Sequence, residues 1–295
     1  MPFDLERNGL RQIWRFLAFA LAMYLLGNYI EGPVLGFLAP HLGIDGDALS
    51  APALILIELV SIVEVLLVTL LFALIEHRRV TDYGFNSAPA PSKSFWKGIW
   101  FGLLMVAFVG VAMVLAGGMR VSGFALRPSA AVYQSVLWAA SMVLLGISEE
   151  YLFRGYALQS LWRSAGFWPA AIVTSGLFAA AHLNKPHENA IDITMIFIVG
   201  LILCLSVRRT GHLWWAVGWH AAFDFGQLFV IGTQNGGQVP VGRLLNSTFP
   251  GPAWINGGYL GTEASFFMYP AVVAMLVYVL WCLGSSTRPT TDAKL

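Results

Sequence analysis

The chain has 295 residues, 57% of them apolar and 11% charged, with a formal net charge of +1. A soluble domain carries about 25% charge, so this composition excludes a soluble globular protein, and the near-zero net charge leaves no nucleic-acid footprint. The mean hydropathy of +0.69 instead predicts an all-α polytopic membrane bundle of about eight transmembrane helices, at about 20 apolar residues per span.

In chain order, Arg7, Arg11 and Arg15 precede an apolar segment at 16–30, which is too long for a signal-peptide core and reads as a retained first span. Further spans follow from window hydrophobicity, giving helices near 13–31, 52–76, 96–117, 130–162, 167–183, 190–207, 212–231 and 263–284. They form a single integral membrane domain over 1–295, without internal repeats. The Gly- and Pro-rich stretch from Gly232 to Gly261 is the one long connection, expected over one mouth of the bundle, and 285–295 reads as a flexible C-terminal tail. Cys204 and Cys282 lie in apolar stretches and read as small buried hydrophobes.

Basic residues set an orientation. With a cytoplasmic N-terminus, Arg7, Arg11, Arg15, Arg78, Arg79, Lys93, Lys97, Arg163, Arg208, Arg209, Arg288 and Lys294 fall inside. Arg120, Arg127, Lys185 and Arg243 fall outside, a positive-inside bias that places both termini in the cytoplasm.

The fourth segment carries Glu149, Glu150 and Arg154 after the apolar run Ala131–Ile147. Charges at bilayer depth are costly and mark paired, wet or functional positions. Glu150 and Arg154, spaced i, i+4, share a helix face in the favourable order, which makes Glu150 a structural partner. Glu149 points about 100° away from that face and is free to act as a general base. Gly166 lies 17 residues after Glu149 and 16 before His182, so a helical hairpin brings the two side chains to one depth. Phe178 and His182 share a face, as do His220 and Asp224. Glu58 and Glu64 read as cavity-lining or paired groups, and the polar stretch from His182 to Asn189 as a capped turn giving a wet approach to the site, with Asn189 or Asp192 as the cap. Trp214, Trp215 and Trp219 read as an interfacial aromatic belt.

Glu149-Glu150-x-x-x-Arg154, Phe178-x-x-x-His182 and His220-x-x-x-Asp224, in this order on successive apolar segments, resemble the three signatures of the CPBP intramembrane protease family, which includes the CAAX prenyl endopeptidases and Abi proteins. The resemblance covers a core at 130–230. It implies an eight-helix fold with its site opening toward the cytoplasm. It also implies that Glu149 activates water with His182, that His220 and position 224 stabilise the oxyanion, and that Glu150, Arg154 and Phe178 give structural support. Asn is commoner at the last position; an ionised Asp224 cannot donate to an oxyanion. Asp224 must then be protonated, orient His220 or bind a metal.

No cofactor is required by this reading. Zinc is the candidate, held by Glu149, His182, His220 and Asp224, although the His-Glu-x-x-His spacing is absent from the sequence. The expected partners are the lipid bilayer and a membrane-associated peptide or protein substrate, with no nucleic acid and no assigned oligomeric state. The expected activity is that of an intramembrane endopeptidase. The alternatives are a non-enzymatic scaffold or bacteriocin-immunity protein of the same fold and, last, a proton-coupled transporter, which the lack of repeated, interrupted helices disfavours.

Overall fold

The computed structural model describes residues 3–85 and 91–284. The expected tail at 285–295, with Arg288 and Lys294, and the side chain of Arg7 lie outside the described residues. The helices in chain order are α1 (Phe3–Leu26), α2 (Gly32–His41), α3 (Ala51–Ile75), α4 (Pro91–Leu115), α5 (Pro128–Glu150), α6 (Leu158–Ala165), α7 (Phe167–Ala181), α8 (Ala190–Thr210), α9 (Trp214–Asp224), α10 (Ala253–Asn256) and α11 (Met268–Trp281). Among the described residues, six helical segments are long and apolar enough to cross a membrane. The shorter α7 and the run of α9 into the π turn Phe225–Ile231 complete the bundle. The protein is an all-α polytopic membrane bundle.

Two helical segments run further than hydropathy alone suggests. The first span is α1 continued through a π turn at Gly27–Glu31 into α2. The fourth passes from α5 through a π turn at Tyr151–Ala157 into α6. Gly155 leaves helical geometry there, with ψ at −114°. A two-stranded antiparallel sheet, β1 (Arg120–Phe124) with β2 (Leu245–Thr248), is the exception to the helical pattern. It ties the long connection after α9 to the start of α5.

The bundle has two distinct ends. At the near end α1 begins beside the end of α6, where Gly9 lies against the carbonyl of Ser164, and Arg209 of α8 donates to the carbonyl of Leu283 just past α11. At the far end the α2–α3, α7–α8 and α9–α11 connections gather, joined by backbone bonds such as Val241 N–H to Leu49 O and Gly237 N–H to Tyr259 O. Asn189 caps α8, its side chain accepting from the N–H groups of Ile191 and Asp192.

Small residues let the helices that carry the polar motifs approach closely, as they do in membranes generally. A Cβ on Gly218 of α9 would run into the carbonyl of Phe95 on α4. A Cβ on Gly146 of α5 would lie 2.9 Å from the carbonyl oxygen of Val217 on α9. Glu149 and Glu150 follow Gly146 by about one turn, and His220 follows Val217 by about one turn. That contact brings the carboxylates of α5 to the imidazole of α9.

The expected tryptophan belt is not one. Trp215 and Trp219 are buried, and Trp215 stacks on Tyr278 of α11. A polar N–H on a large apolar ring suits a helix interface as well as a lipid headgroup, and spacing alone does not separate the two. Cys204 is buried as expected, whereas Cys282 is exposed.

Candidate active site

Glu150 and Arg154 are both fully buried and form an ion pair at 3.3 Å. The guanidinium of Arg154 also lies over the ring of Phe178, 4.3 Å from its centroid, a cation–π contact worth about 2 kcal/mol when desolvated. Gly200 of α8 gives the guanidinium its room: a Cβ there would sit 3.1 Å from Nη2 of Arg154. Glu150 does more than pair with arginine. Its Oε1 also lies 3.0 Å from Nδ1 of His220, a contact between α5 and α9 that i, i+4 spacing does not reveal.

Glu149, on the next position, has a different environment. Its side chain is 29% exposed, and its Oε2 lies 3.6 Å from Nε2 of His220. The same nitrogen is 3.4 Å from Oδ2 of Asp224. His220 is therefore held on one side by the buried Glu150 and faces Glu149 and Asp224 on the other.

His182 sits just past the end of α7. Its Nδ1 is 2.8 Å from the carbonyl oxygen of Phe178. A carbonyl only accepts, so Nδ1 carries the hydrogen, and a neutral ring then presents a bare Nε2. Phe178 meets His182 edge-on at 4.9 Å and His220 at 6.4 Å. One aromatic ring thus braces the arginine and both imidazoles.

Glu149, His182, His220 and Asp224 all line one cavity of about 130 Å³. Its walls reach inward to Leu203 and Trp219, and its rim is built from far-end connections by Leu49, Lys185, Asn235 and Glu263. The mouth is consequently at the end opposite to the start of α1. The start of α1 and the end of α11 both lie at the near end, so a cytoplasmic near end and a cytoplasmic mouth, both expected from the sequence, exclude each other among the described residues.

Four residues in this neighbourhood, Glu58, Gln227, Thr262 and Glu263, belong to none of the three motifs. Gln227, in the π turn after α9, donates to Oδ1 of Asp224 at 2.9 Å and to Oε1 of Glu263 at 2.5 Å. Thr262 donates to the Gln227 amide oxygen at 2.5 Å, which fixes which end of the amide faces the acids. Glu58 of α3, buried at 7% exposure, is hydrogen-bonded to the hydroxyl of Ser148, the residue before Glu149. The sequence signal for Glu58 was a lone acid in an apolar span. Gln227 and Glu263 had only helical spacing from Asp224 and proximity to a long loop.

Outside the spans, Lys185 and Glu188 share an ion pair at 3.5 Å, and Lys185 reaches Glu263 at 3.8 Å. Burial pulls the Lys185 ammonium down, but the carboxylates of Glu263 and Glu188 outweigh it and hold it above its ordinary value. Glu188 is raised, chiefly by desolvation, beyond what Lys185 offsets.

Zinc would need several of these donors converging on one point. Among the described residues no group of three or more His, Cys, Asp or Glu side chains is arranged to hold a metal ion. His220 turns both ring nitrogens to carboxylates, and His182 turns Nδ1 to its own helix. The four side chains surround a space without assembling as a zinc site.

A family model described as type II CAAX prenyl endopeptidase, Rce1-like, matches residues 131–226. This segment, about a third of the chain, is what is similar to the CAAX proteases. Neither curated proteins nor solved structures gave a match to the chain. The matched segment runs from α5 to the first residues of the π turn after α9, and all three motifs lie within it. Glu58, Gln227 and Glu263 lie outside it. Support around the site thus comes both from the matched segment, through Glu150, Arg154 and Phe178, and from parts of the chain beyond it.

Proposed function

We propose that the chain is an intramembrane endopeptidase that hydrolyses a peptide bond of a membrane-associated protein or peptide by glutamate-based catalysis. The observation that carries this reading is the division between the two adjacent acids. Glu150 is fully buried and committed to Arg154 and His220, while Glu149 stands partly exposed on the cavity, facing His220.

In this reading a water molecule sits between Glu149 and Nε2 of His182. Glu149 takes one proton as the water oxygen bonds to the scissile carbonyl carbon, giving a tetrahedral oxyanion. His220, protonated on both nitrogens, donates to Glu150 through Nδ1 and to the oxyanion through Nε2. Asp224 orients that imidazole and is itself held by Gln227, so position 224 need not donate. Glu149 then gives its proton to the leaving nitrogen as the C–N bond breaks. No cofactor enters any of these steps.

The test is cleavage of a fluorogenic peptide library by the full-length chain in lipid nanodiscs. Glu149→Gln should lower the rate by on the order of 10²–10⁴-fold with an unchanged unfolding temperature. Chelator should leave the native rate unaltered. Absence of cleavage by the native chain favours the scaffold or immunity reading.

For orientation, the described basic residues at the near end are Arg11, Arg15, Arg78, Arg79, Lys93, Lys97, Arg163, Arg208 and Arg209, against Arg120, Arg127, Lys185 and Arg243 at the far end. This bias favours a cytoplasmic near end and a mouth on the opposite side. Single cysteines introduced at Arg78 and at Arg120 should then label with an impermeant thiol reagent only at Arg120 in intact cells; the reverse pattern turns the mouth inward.

A further inference from the structure

The catalytic reading leaves unused the charged rim of the cavity. Glu188, Asp192 and Glu263 line it, and Lys185 is the cation set among them. Three carboxylates against one ammonium leave an excess of negative charge just outside Glu149 and Asp224, which add their own. Asp192 accepts from the Asn189 side chain, and Glu263 from Gln227. Glu188 is different. Its side chain lines the cavity and is 5% exposed, its Oε1 pairs with Lys185, and its Oε2 is buried with no hydrogen-bond partner among the described residues. An acceptor held out of water without a donor costs about 1–3 kcal/mol, more when charged. It is the feature a bound donor would relieve.

Resting on the endopeptidase reading, we propose that this rim selects a substrate with an ammonium group on the mouth side of the scissile bond, received by Glu188 with Asp192 and Glu263. Two observations point to a peptide-borne ammonium rather than a metal ion. The carboxylates are spread along the rim and do not group as metal ligands. Apolar Met195, Ile196 and Leu260 share the same wall, which suits the methylene stem of a lysine while its head reaches the acids. The loop is also set in place. His187, with φ at 70°, is held in a conformation unusual for a non-glycine residue and stacks on Tyr259 at 4.1 Å. Lys185 competes for the same carboxylates, so it weakens the preference rather than creating it. A substrate with a carboxylate at this position meets like charge in a poorly hydrated space.

The experiment is binding to the full-length Glu149→Gln chain in lipid nanodiscs of zwitterionic lipid. The probes are fluorescent peptides of one apolar sequence, acetylated and amidated, with Lys, Ala or Glu at a single position. A fourth probe is the Ala peptide with a free N-terminal amine. The Lys peptide should bind about tenfold more tightly than the Glu peptide at low salt, a gap that narrows as salt is added. Glu188→Gln should cut that ratio by about threefold, and Lys185→Met should raise it, since an opposing charge is removed in one case and a competing one in the other. Tighter binding of the free-amine peptide than of its acetylated form assigns the ammonium to a chain terminus; no difference there assigns it to a side chain. Equal affinity for Lys and Glu peptides, a ratio unmoved in both variants, or no binding by any probe overturns the proposal. If Glu188→Gln loses all probes and unfolds early, Asp192→Asn provides the same test. A clear Lys preference in a chain that cleaves nothing would instead overturn the protease reading and leave the cation site in place.

Discussion

At the near end of the bundle, Glu76 is surrounded by donors: Arg163 at 2.8 Å, Arg15 at 3.5 Å and Arg78 at 4.0 Å. The hydroxyls of Tyr83 and Tyr156 add hydrogen bonds at 2.9 and 2.8 Å. At the far end the proportions are inverted, with Glu149, Glu188, Asp192, Asp224 and Glu263 sharing Lys185 and two imidazoles around a cavity. Both clusters are polar islands in an apolar chain. The first has a closed arrangement in which donors outnumber the carboxylate they serve, and it pins α1, α3 and α6 together. The second leaves acids short of partners and one of them facing open space. Polar groups in a membrane can be spent on holding helices or kept available for a substrate, and the ratio of donors to acceptors distinguishes the two uses.

Arg154→Met is the largest expected disturbance. It strands the fully buried Glu150 without its cation and should cost about 3–5 kcal/mol, read as a lowered unfolding temperature in detergent together with loss of cleavage. If stability is unchanged, the pair is not structural and the division between the two acids fails. Glu76→Ala should cost less, about 2 kcal/mol, because Arg15, Arg78 and Arg163 are partly exposed and water takes up their charge. Its cleavage rate per folded molecule should match the native rate, measured after separating the folded fraction. A rate loss there would couple the two ends and undo the contrast between them.

The smallest effect concerns Lys185. Its ammonium is held above the ordinary value of 10.5 by Glu263 and Glu188. A raised cation contributes stability that is fully present below the unfolded value and lost as pH rises through the folded one. The native chain should therefore lose stability above about pH 10.5 more steeply than Lys185→Met, as followed by thermal unfolding across that range. Parallel curves would mean that Lys185 is not engaged by the rim acids.

The motif positions were legible because helical spacing is local. Glu150 with Arg154, Phe178 with His182 and His220 with Asp224 each follow from i, i+4 geometry, and Glu149 and His182, which the count of residues around Gly166 expects at one depth, line the same cavity. The contact of Glu150 with His220 was not legible, since it depends on how closely α5 and α9 approach at Gly146. Nor were Gln227 and Glu263, which reach Asp224 through a π turn and a folded connection. Those irregular segments lack the period that makes a helix readable.

The sequence by itself determined that this chain lives in a membrane, that it is a helical bundle, and which few polar side chains it carries into the apolar interior. Hydropathy and helical period are properties of short stretches, and they act before distant segments meet. Which acid is spent and which is left facing a cavity, which end of the bundle the cavity opens to, and which unflagged residues surround it were decided by the tertiary structure. Those outcomes rest on contacts between helices far apart in the chain, set by where glycine lets two backbones touch.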